Sequence, residues 1–590
     1  MLSEEYHKLI PAMLVAAETA LLWLAWSHSP GLAAVNGRSP DEAKSPAHRF
    51  KIPKTVVAGF RVPRPDPAKV AIGERLFLET RFSQFFFANS RGDANTNLPS
   101  GDPVVATTVT TGRPLPGPFA GFAINCRACH LVNEHFAAGL GNRTYADFAR
   151  RSPVPARGDG KTLTPRNSPP IVNATVPREG GFFLHFDGEF VSSDELVKAT
   201  FTGRNFGWLP TERAQAVRHL AHIIREDDGR GPLAREFGGF SYRRVLAGLD
   251  PELGEESERF HLTEEFRFDV TQATDEQILE AVARLVTAYM DSLFFSRDES
   301  AEYDGSPYDW FLETNRLPRL PDAGQSQGYY MRNLLDLVKG PHPLKWIQPG
   351  VLRFKTLKQE FRFGPEELEG MKIFFSLARY ATNSMSRSEH GIGNCVACHF
   401  APDFTDFNFH NTGAAQEEYD GIHGAGAFLR LQVPGLAERN AHFDDWLPAT
   451  GNHPRALGPL LDLPAAERPG RTDLGLWNVF ANPDHPLAQT SLRARLSEAG
   501  QKGPDDVLLP KTVALFKTPS LRGLAFSGPY LHTGRKDTLE EVIEFYIRMS
   551  KLARAGKLRN ADRQLSGIFL SAEDIAPLAA FLRSLNEDYE

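Results

Sequence analysis

The sequence predicts a mainly α-helical fold that consists of two similar domains in tandem. Three observations lead to this prediction. The motif Cys-x-x-Cys-His occurs twice, at residues 126–130 and 395–399, and the two copies use all four cysteines of the 590-residue chain. Each copy is preceded and followed by a segment with the apolar periodicity of a helix. Alternation typical of strands is rare, so each half is expected to fold as helices around its own copy of the motif.

The N-terminal segment, residues 1–34, is interpreted as an export signal or a membrane anchor. Residues 9–27 are almost entirely apolar, and a run of small residues that ends at Ala34 provides a site for cleavage. Acidic residues outnumber basic ones at the start of this segment, which is unusual for an export signal. After residue 27 no apolar run is long enough to cross a bilayer.

The first domain is expected to span residues 50–300 and to begin and end with a helix. Asp66 and Pro67 precede apolar residues at helical spacing, as at a helix N-terminus. Thr274 and Gln277 form a potential capping box ahead of the closing helix.

The second domain, residues 346–590, repeats this arrangement. Gly364 and Pro365 open the first of its helices, and Ser571 is expected to cap the last one. The similar order of helix, motif and closing helix supports two domains of one type.

Three segments are expected to lie outside the cores of the two halves. They are rich in proline, glycine and charge, and are expected to be an insertion at about 225–270, a linker or insertion at 301–345, and an insertion at about 415–510. The net charge of −7 comes without a basic block, so a nucleic-acid partner is not expected.

Three kinds of site use closely spaced cysteines: zinc sites, redox dithiols and c-type haem anchors. Zinc sites usually bring together two pairs about 15–20 residues apart, and a dithiol needs no histidine after the second cysteine. Covalent haem needs that histidine, because two thioethers hold the porphyrin while the imidazole binds iron. The repeated histidine therefore favours haem over zinc or a disulfide. The predicted anchors are Cys126, Cys129 and His130 for one haem, and Cys395, Cys398 and His399 for the other.

The anchors refine the predicted fold to two cytochrome c-like haem domains in tandem with long irregular insertions. Haem c is attached outside the cytoplasm, so a periplasmic location is expected, with or without an N-terminal anchor in the inner membrane.

A fainter internal repeat follows each anchor. "TPRNSPPIVNA" at 164–174 leads to "HFDGEF", and "TPSLRGLAF" at 518–526 leads to "LHTGRK". Aligning the glycines of the two repeats pairs Phe186 with His532. Each repeat is expected to run beside its own haem.

With these motifs the chain resembles the bacterial di-haem cytochrome c peroxidases and MauG. The resemblance rests on the two anchors, "TPRNSP", "FTDFNFHNTG" at 404–413 and "FKTPSLRGLAFSGPYLHTG" at 516–534, in that order. It implies an oxidoreductase whose N-terminal haem reacts with hydrogen peroxide and whose C-terminal haem relays electrons. The implied electron donor is a small redox protein such as a c-type cytochrome or a cupredoxin.

The resemblance also implies a sixth ligand for the second iron. In the family this ligand lies fourteen residues after the histidine that matches His532, which is Tyr546 here, as in MauG. A phenol oxygen stabilises ferric and higher-valent iron, whereas a thioether favours ferrous iron. Met549, one helical turn further, is the alternative ligand, and Tyr546 then becomes a core aromatic of an amphipathic helix.

The first haem departs from the family pattern. No histidine occurs between His135 and His185, so this iron is expected to lack a sixth protein ligand. The inter-haem tryptophan of the family is Phe186 here, and the position of the distal glutamate falls on Phe206. Peroxide cleavage needs a group that moves a proton and a polar group that stabilises hydroxide. The candidate catalytic residues are Arg204, His185 and Phe186, with Asn205 and Glu189 as further local candidates.

The resemblance implies a calcium ion as well. In the family an asparagine side chain and two backbone carbonyls hold it, and the matching residues are Asn167, Ser527 and Pro529. Such oxygen donors suit calcium. Alternatively, Asn167 only shapes a turn.

Two other functions remain open at this point. Di-haem oxygenases of the rubber-oxygenase type bind O₂ in an aromatic pocket, which Phe206 and Trp208 would line here. A non-enzymatic electron carrier or sensor would use the insertions as docking surfaces.

Overall fold

The computed structural model describes residues 66–98, 123–130, 151–152, 154–176, 181–249, 255–322, 324–355, 357–378 and 391–588. The segment expected to be an export signal or anchor lies outside these ranges. Within them the fold is mainly α-helical, as predicted, and its one sheet pairs strand β1 (Phe409–His410) antiparallel with strand β2 (Phe516–Lys517). None of the helices in the described ranges has the length and apolar character needed to cross a membrane.

Eight α-helices lie in the described part of the first half and enclose one hydrophobic core. They are α1 (Pro67–Phe77), α2 (Gln84–Asn89), α3 (Ser193–Phe201), α4 (Arg213–Glu226), α5 (Pro232–Glu236), α6 (Tyr242–Ala247), α7 (Glu255–Glu258) and α8 (Asp275–Ser292). The opening helix α1 packs along the closing helix α8.

Ten more α-helices follow among the described residues. They are α9 (Pro307–Thr314), α10 (Gln327–Val338), α11 (Pro365–Phe375), α12 (Ala414–His423), α13 (Leu436–Ala441), α14 (Phe443–Trp446), α15 (Pro486–Glu498), α16 (Asp505–Leu508), α17 (Leu539–Arg554) and α18 (Ile575–Arg583). Here the opening helix α11 packs along the closing helix α18, which repeats the α1–α8 pair.

The helix starts follow the capping signals, with one exception. The Asp66 carboxylate accepts from the Ala68 amide at 2.9 Å, and Thr274 and Gln277 form the expected capping box. The prediction that Ser571 caps α18 is wrong. The Ser571 amide and hydroxyl donate to the Asp574 carboxylate at 2.7 and 2.9 Å, and the helix begins after Asp574.

The three segments expected to be insertions or linkers are packed structures rather than loose loops. In the 225–270 segment, α6 contributes Tyr242 and Leu246 to the first core, and Leu233 of α5 packs against it. Helices α9 and α10, from the 301–345 segment, pack into the second core together with α11 and α18. The 415–510 segment forms much of a third core around the buried Trp477. All described residues fall within one compact unit.

Candidate haem sites

The two Cys-x-x-Cys-His motifs adopt the same tight turn. The His130 amide donates to the Cys126 carbonyl at 3.0 Å, and the His399 amide donates to the Cys395 carbonyl at 2.9 Å. None of the four cysteines, all of which lie in the described ranges, forms a disulfide. Each turn therefore presents two thiols and one imidazole together, as covalent haem attachment requires.

An asparagine directly before each motif fixes the turn to the rest of its core. The Asn125 side-chain amide donates to the Leu78 carbonyl at 3.0 Å, and that of Asn394 donates to the Gln564 carbonyl at 2.8 Å. These two asparagines were not predicted to be site residues, although both copies of the motif begin with the same pair, Asn-Cys.

Both anchor imidazoles are oriented by a backbone carbonyl. Nδ1 of His130 lies 3.0 Å from the Pro169 oxygen, and Nδ1 of His399 lies 2.8 Å from the Phe404 oxygen. Because Nδ1 must carry the proton in such a bond, Nε2 keeps the lone pair that binds iron. Burial lowers the pKa of His130 to about 4 and also lowers that of His399, so both rings are neutral near pH 7.

The second anchor opens into a mainly apolar cavity. Cys395, Cys398 and His399 line it together with residues of the 516–534 segment. Tyr546, on α17, forms part of the cavity wall. Its burial, and to a smaller extent the nearby thiols of Cys398 and Cys395, raise the pKa of its phenol.

One buried polar atom in this cavity points to a missing bound group. Nε2 of His532 is buried and has no hydrogen-bond partner among the described residues, while its ring stacks on Phe516 with centroids 3.5 Å apart. An apolar cavity with two thiols, an oriented imidazole and an orphaned polar atom fits a covalently attached haem.

Met549 lies outside this cavity wall. Its side chain is buried in an apolar cluster with Phe545 and Leu558, against which Tyr546 also packs. Of the two residues considered as the sixth ligand of the second iron, only Tyr546 lines the cavity.

The described residues form no four-cysteine zinc site. Two groups of potential metal ligands occur there, and neither combines cysteines of both motifs. They are Cys398 with Asp406 and His410, and His185 with Asp187 and Glu189.

His410 places a positive charge beside the second anchor. Nδ1 lies 2.6 Å from the Asp562 carboxylate and Nε2 lies 2.8 Å from the Asp406 carboxylate. Burial opposes protonation, but the Cys398 thiol and the two carboxylates raise the pKa of His410 well above its usual value.

Near the first anchor, His185 forms a pair with a partly buried carboxylate. Nδ1 of His185 lies 3.0 Å from the Glu189 carboxylate, which also lies 3.9 Å from Nδ1 of His485. Burial alone would raise the pKa of Glu189, but the hydrogen bond to His185 and the nearby positive charges lower it. His185 is also close enough to His130 to affect its pKa.

The other residues proposed for catalysis occupy different surroundings. The Arg204 guanidinium donates to the Asp159 carboxylate at 2.8 Å and to the Lys161 carbonyl at 3.0 Å. Phe186 lies beside the second site, with its ring 6.3 Å from that of His532, the residue paired with it by the internal repeat.

The two aromatic residues considered for an oxygen pocket belong to the first core. Phe206 packs edge-on against Phe201 with centroids 5.1 Å apart. The Trp208 indole is fully buried and donates to the Phe82 carbonyl at 3.1 Å. Their aromatic faces pack within the first core.

His135, which follows the first anchor in sequence, lies outside the described residues.

The residues proposed for calcium lie close together. The Asn167 side-chain nitrogen donates to the Pro529 carbonyl, and the Asn167 backbone amide donates to the His532 carbonyl at 2.7 Å. The Ser527 hydroxyl donates to the Gly523 carbonyl at 3.2 Å. Calcium binding at this position requires the side-chain amide of Asn167 to rotate, so that Oδ1 takes the place that Nδ2 now occupies beside the Pro529 carbonyl.

Curated proteins similar in sequence include two cytochrome-c peroxidases and MauG, while no protein-family model matches the chain. Cytochrome-c peroxidase IdrP2 of Pseudomonas sp. is 37% identical over 263 residues, which cover 40% of this chain and 54% of that protein. IdrP1 of Pseudomonas sp. is 32% identical over 126 residues, 19% of this chain and 32% of that protein. Methylamine utilization protein MauG of Methylorubrum extorquens is 34% identical over 73 residues, 12% and 19% respectively.

These matches cover between about a fifth and about half of the relatives' lengths. They confirm the resemblance to cytochrome c peroxidases and MauG that the motifs predicted.

Two solved structures are similar to the chain at low sequence identity. The di-haem peroxidase BthA from Burkholderia thailandensis has a TM-score of 0.40 and 17% identity, over 89% of this chain and 87% of that one. A MauG-like protein associated with microbial copper homeostasis has a TM-score of 0.38 and 17% identity, over 92% and 96%.

Proposed function

We propose that the protein is a periplasmic oxidoreductase with two covalently bound c-type haems and the activity of a peroxidase or a MauG-like oxidase. The observation that carries this proposal is the pair of matching anchors. In each, the imidazole donates through Nδ1 to a backbone carbonyl and keeps Nε2 for iron. The names of the curated relatives support the peroxidase class.

In this proposal the two sites divide the work. Haem iron, when bound, supplies the redox chemistry with peroxide and with the electron donor. Tyr546 lines the cavity of the second anchor and would serve as the sixth ligand of the iron there, so the second site would relay electrons. The sequence offers the first site no such ligand, so peroxide would react at the first site, where His130 would hold the iron.

His185 is the proposed proton-transfer residue of the first site. Glu189 holds its Nδ1 at 3.0 Å, which orients the ring and leaves Nε2 to take or give a proton. Arg204 is the weaker of the two polar candidates, because Asp159 already neutralises its guanidinium. Phe186 takes the position between the sites where the family has tryptophan, and it is harder to oxidise.

The proposed partners follow from this reaction. Hydrogen peroxide is the oxidant, and a small periplasmic redox protein such as a c-type cytochrome or a cupredoxin supplies electrons. A calcium ion held by Asn167, Ser527 and Pro529 would bridge the two repeats, because these residues come from both of them. The burial of Phe206 and Trp208 in the first core makes the oxygenase alternative less favourable.

The test uses the purified ferric protein with both haems attached. We expect a high-spin EPR signal that disappears when hydrogen peroxide is added, together with peroxide-dependent oxidation of a reduced c-type cytochrome. The variant His185→Gln should slow the peroxide reaction. His453→Gln is the matched control, because His453 also pairs with a carboxylate, Asp444 at 2.7 Å, but lies in the 415–510 segment.

Three outcomes separate the candidate functions. Loss of the high-spin signal with peroxide supports the peroxidase. Oxygen uptake with an organic substrate and no response to peroxide supports an oxygenase. Two low-spin haems that react with neither hydrogen peroxide nor O₂ would indicate an electron carrier.

A further inference from the structure

A buried tyrosine, Tyr303, lies between the two loops that orient the anchor imidazoles. It is only 2% exposed, and it follows α8 in the segment that connects the two halves of the chain. Its hydroxyl has three partners, Asp403, Asn173 and Arg297.

One of these partners belongs to the loop that orients the first anchor. Asn173 lies four residues after Pro169, whose carbonyl receives the Nδ1 proton of His130. The Asn173 side-chain amide donates to the Tyr303 hydroxyl oxygen at 3.0 Å.

The second partner belongs to the loop that orients the other anchor. Asp403 directly precedes Phe404, whose carbonyl receives the Nδ1 proton of His399. The Tyr303 hydroxyl donates to the Asp403 carboxylate at 2.5 Å. Hydrogen bonds and short stretches of backbone thus connect both anchor imidazoles through one phenol.

Asp403 is positioned to take the phenol proton. Oδ1 receives the hydrogen bond from Tyr303, and Oδ2 is buried without a hydrogen-bond partner among the described residues. A phenol that loses an electron becomes strongly acidic, so a carboxylate on its hydroxyl allows the proton to leave at the same time. Burial and the charge of Asp403 raise the pKa of Tyr303, which keeps the resting phenol protonated.

Two donors remain on the phenol oxygen after the proton has left. They are Nη2 of Arg297 at 2.6 Å and the Asn173 amide at 3.0 Å, and both stabilise a phenoxyl oxygen. The Arg522 guanidinium lies 3.7 Å from the ring centroid. Its positive charge disfavours a cationic ring, so electron loss is coupled to proton transfer.

We propose that Tyr303 is a redox-active relay that carries one oxidising equivalent between the two halves, an inference that rests on the proposed function. Tyr303 gives one electron to a peroxide-oxidised haem site, which is thereby reduced by one electron. Its O–H bond breaks as an O–H bond forms on Asp403, and a neutral phenoxyl radical remains. One electron from the other site and the proton from Asp403 restore the phenol.

Two other buried tyrosines serve as matched controls. Tyr308 is 1% exposed, but its hydroxyl has no hydrogen-bond partner in the described part of the chain, so it lacks a proton acceptor. Tyr242 donates to the Glu79 carboxylate at 2.9 Å, and the Arg75 guanidinium lies 3.8 Å from its ring. Tyr242 therefore shares the surroundings of Tyr303 but not its place between the anchors.

The experiment is rapid-freeze EPR of the holoprotein after hydrogen peroxide is added. We expect an organic radical signal that narrows when the protein is grown with ring-deuterated tyrosine and that forms more slowly in D₂O. The signal should be lost in Tyr303→Phe and retained in Tyr308→Phe and Tyr242→Phe. Asp403→Asn keeps the phenol and a hydrogen-bond acceptor but removes the base, so it should also abolish the signal.

The labelling and solvent measurements use the wild-type protein, so they remain decisive if Tyr303→Phe does not fold. A peroxide-induced change in the haem absorption spectrum without a tyrosyl signal would overturn the relay while leaving the proposed function intact. A tyrosyl signal that persists in Tyr303→Phe, or that disappears equally in Tyr242→Phe, would also overturn it. No change in the haem spectrum at all would contradict the proposed function itself.

Discussion

Tyr546 and Met549 lie three residues apart on α17, yet their side chains have different surroundings. Tyr546 packs against the apolar cluster that contains Met549 and also lines the cavity of the second anchor, whereas Met549 is 3% exposed and does not line that cavity. Residues three apart on a helix are neighbours on its surface, and their directions differ by only about 60°. This difference is enough for Tyr546 to line the cavity while Met549 does not. The local packing therefore favours the phenol as the ligand.

Replacing Tyr546 with phenylalanine should remove the sixth ligand of the second iron. We expect the ferric haem at this site to change from low to high spin in the optical and EPR spectra, because the ring remains but its oxygen is gone. Met549→Leu is the control and should leave the spectrum unchanged, since it alters only apolar packing. A spectral change in Met549→Leu alone would assign the methionine as the ligand.

Some site residues were predictable from sequence and others were not. The six anchor residues follow from a motif whose chemistry requires that spacing, and Tyr546 follows from the family resemblance. The carbonyls that orient the imidazoles belong to Pro169 and Phe404, and a backbone carbonyl leaves no signature in the choice of side chain. Tyr303 was not found, because its role depends on partners distant in sequence.

At the scale of helices, the two halves share a close crossing of the opening and closing helices. Gly73 on α1 faces the backbone of α8, where a Cβ atom would lie 2.0 Å from the Leu285 oxygen. Gly370 on α11 faces α18 in the same way, with 1.9 Å to the Pro577 oxygen. Glycine at each crossing lets the helix backbones touch, which is why both positions lack a side chain.

The substitution Gly370→Ala should therefore destabilise the protein. Alanine favours a helix by up to about 1 kcal/mol over glycine, but the clash with backbone costs about 1–3 kcal/mol. Gly421→Ala, on the exposed face of α12 with open space around the position, is the matched control. Thermal unfolding should show a lower midpoint for Gly370→Ala and an equal or higher one for Gly421→Ala. Equal unfolding midpoints for the wild type, Gly370→Ala and Gly421→Ala would contradict the proposed close crossing of the helices.

Helix starts were predictable where the capping residues are close in sequence, as with Thr274 and Gln277. The start of α18 was wrong by three residues, because Ser571 and Asp574 are both capping types and Ser571 binds Asp574 instead. The packed helices in the 301–345 and 415–510 segments were missed, because proline, glycine and charge hid short apolar stripes of only two or three turns.

At the scale of the whole molecule, buried charges connect the cores. Arg166 of the first repeat donates to Asp473 in the 415–510 segment at 2.6 and 2.9 Å and contacts Asp187 at 2.6 Å. Arg522 of the second repeat forms a two-point ion pair with Asp309 on α9 at 2.9 Å. Removing one partner of such a buried pair leaves an uncompensated charge. The cores are therefore coupled in stability.

A buried carboxyl near the C-terminus lies at one of these junctions. Oε1 of Glu587 accepts from the Ser296 amide at 2.6 Å, just after the first core. Oε2 is buried without a hydrogen-bond partner among the described residues and lies against Gly305. Burial raises the pKa of Glu587 to about 8, and the Ser296 amide and the Arg522 charge only partly offset this.

This carboxyl should make the stability of the whole protein depend on pH. Below pH 4.5 Glu587 is protonated in both states, and its contribution is fully present. Between pH 4.5 and about 8 the unfolded state ionises while the folded state stays protonated, so stability falls by up to about 1.4 kcal/mol per pH unit. Above about pH 8 the carboxyl is ionised in both states, so the free energy of unfolding falls no further through this group. Glu587→Gln cannot ionise, so in denaturant unfolding its stability relative to wild type should rise steadily across this window.

Glu573→Gln, at an exposed position, is the control, and its stability should follow that of the wild type throughout. A constant difference between Glu587→Gln and the wild type from pH 5 to pH 8 would contradict the raised pKa.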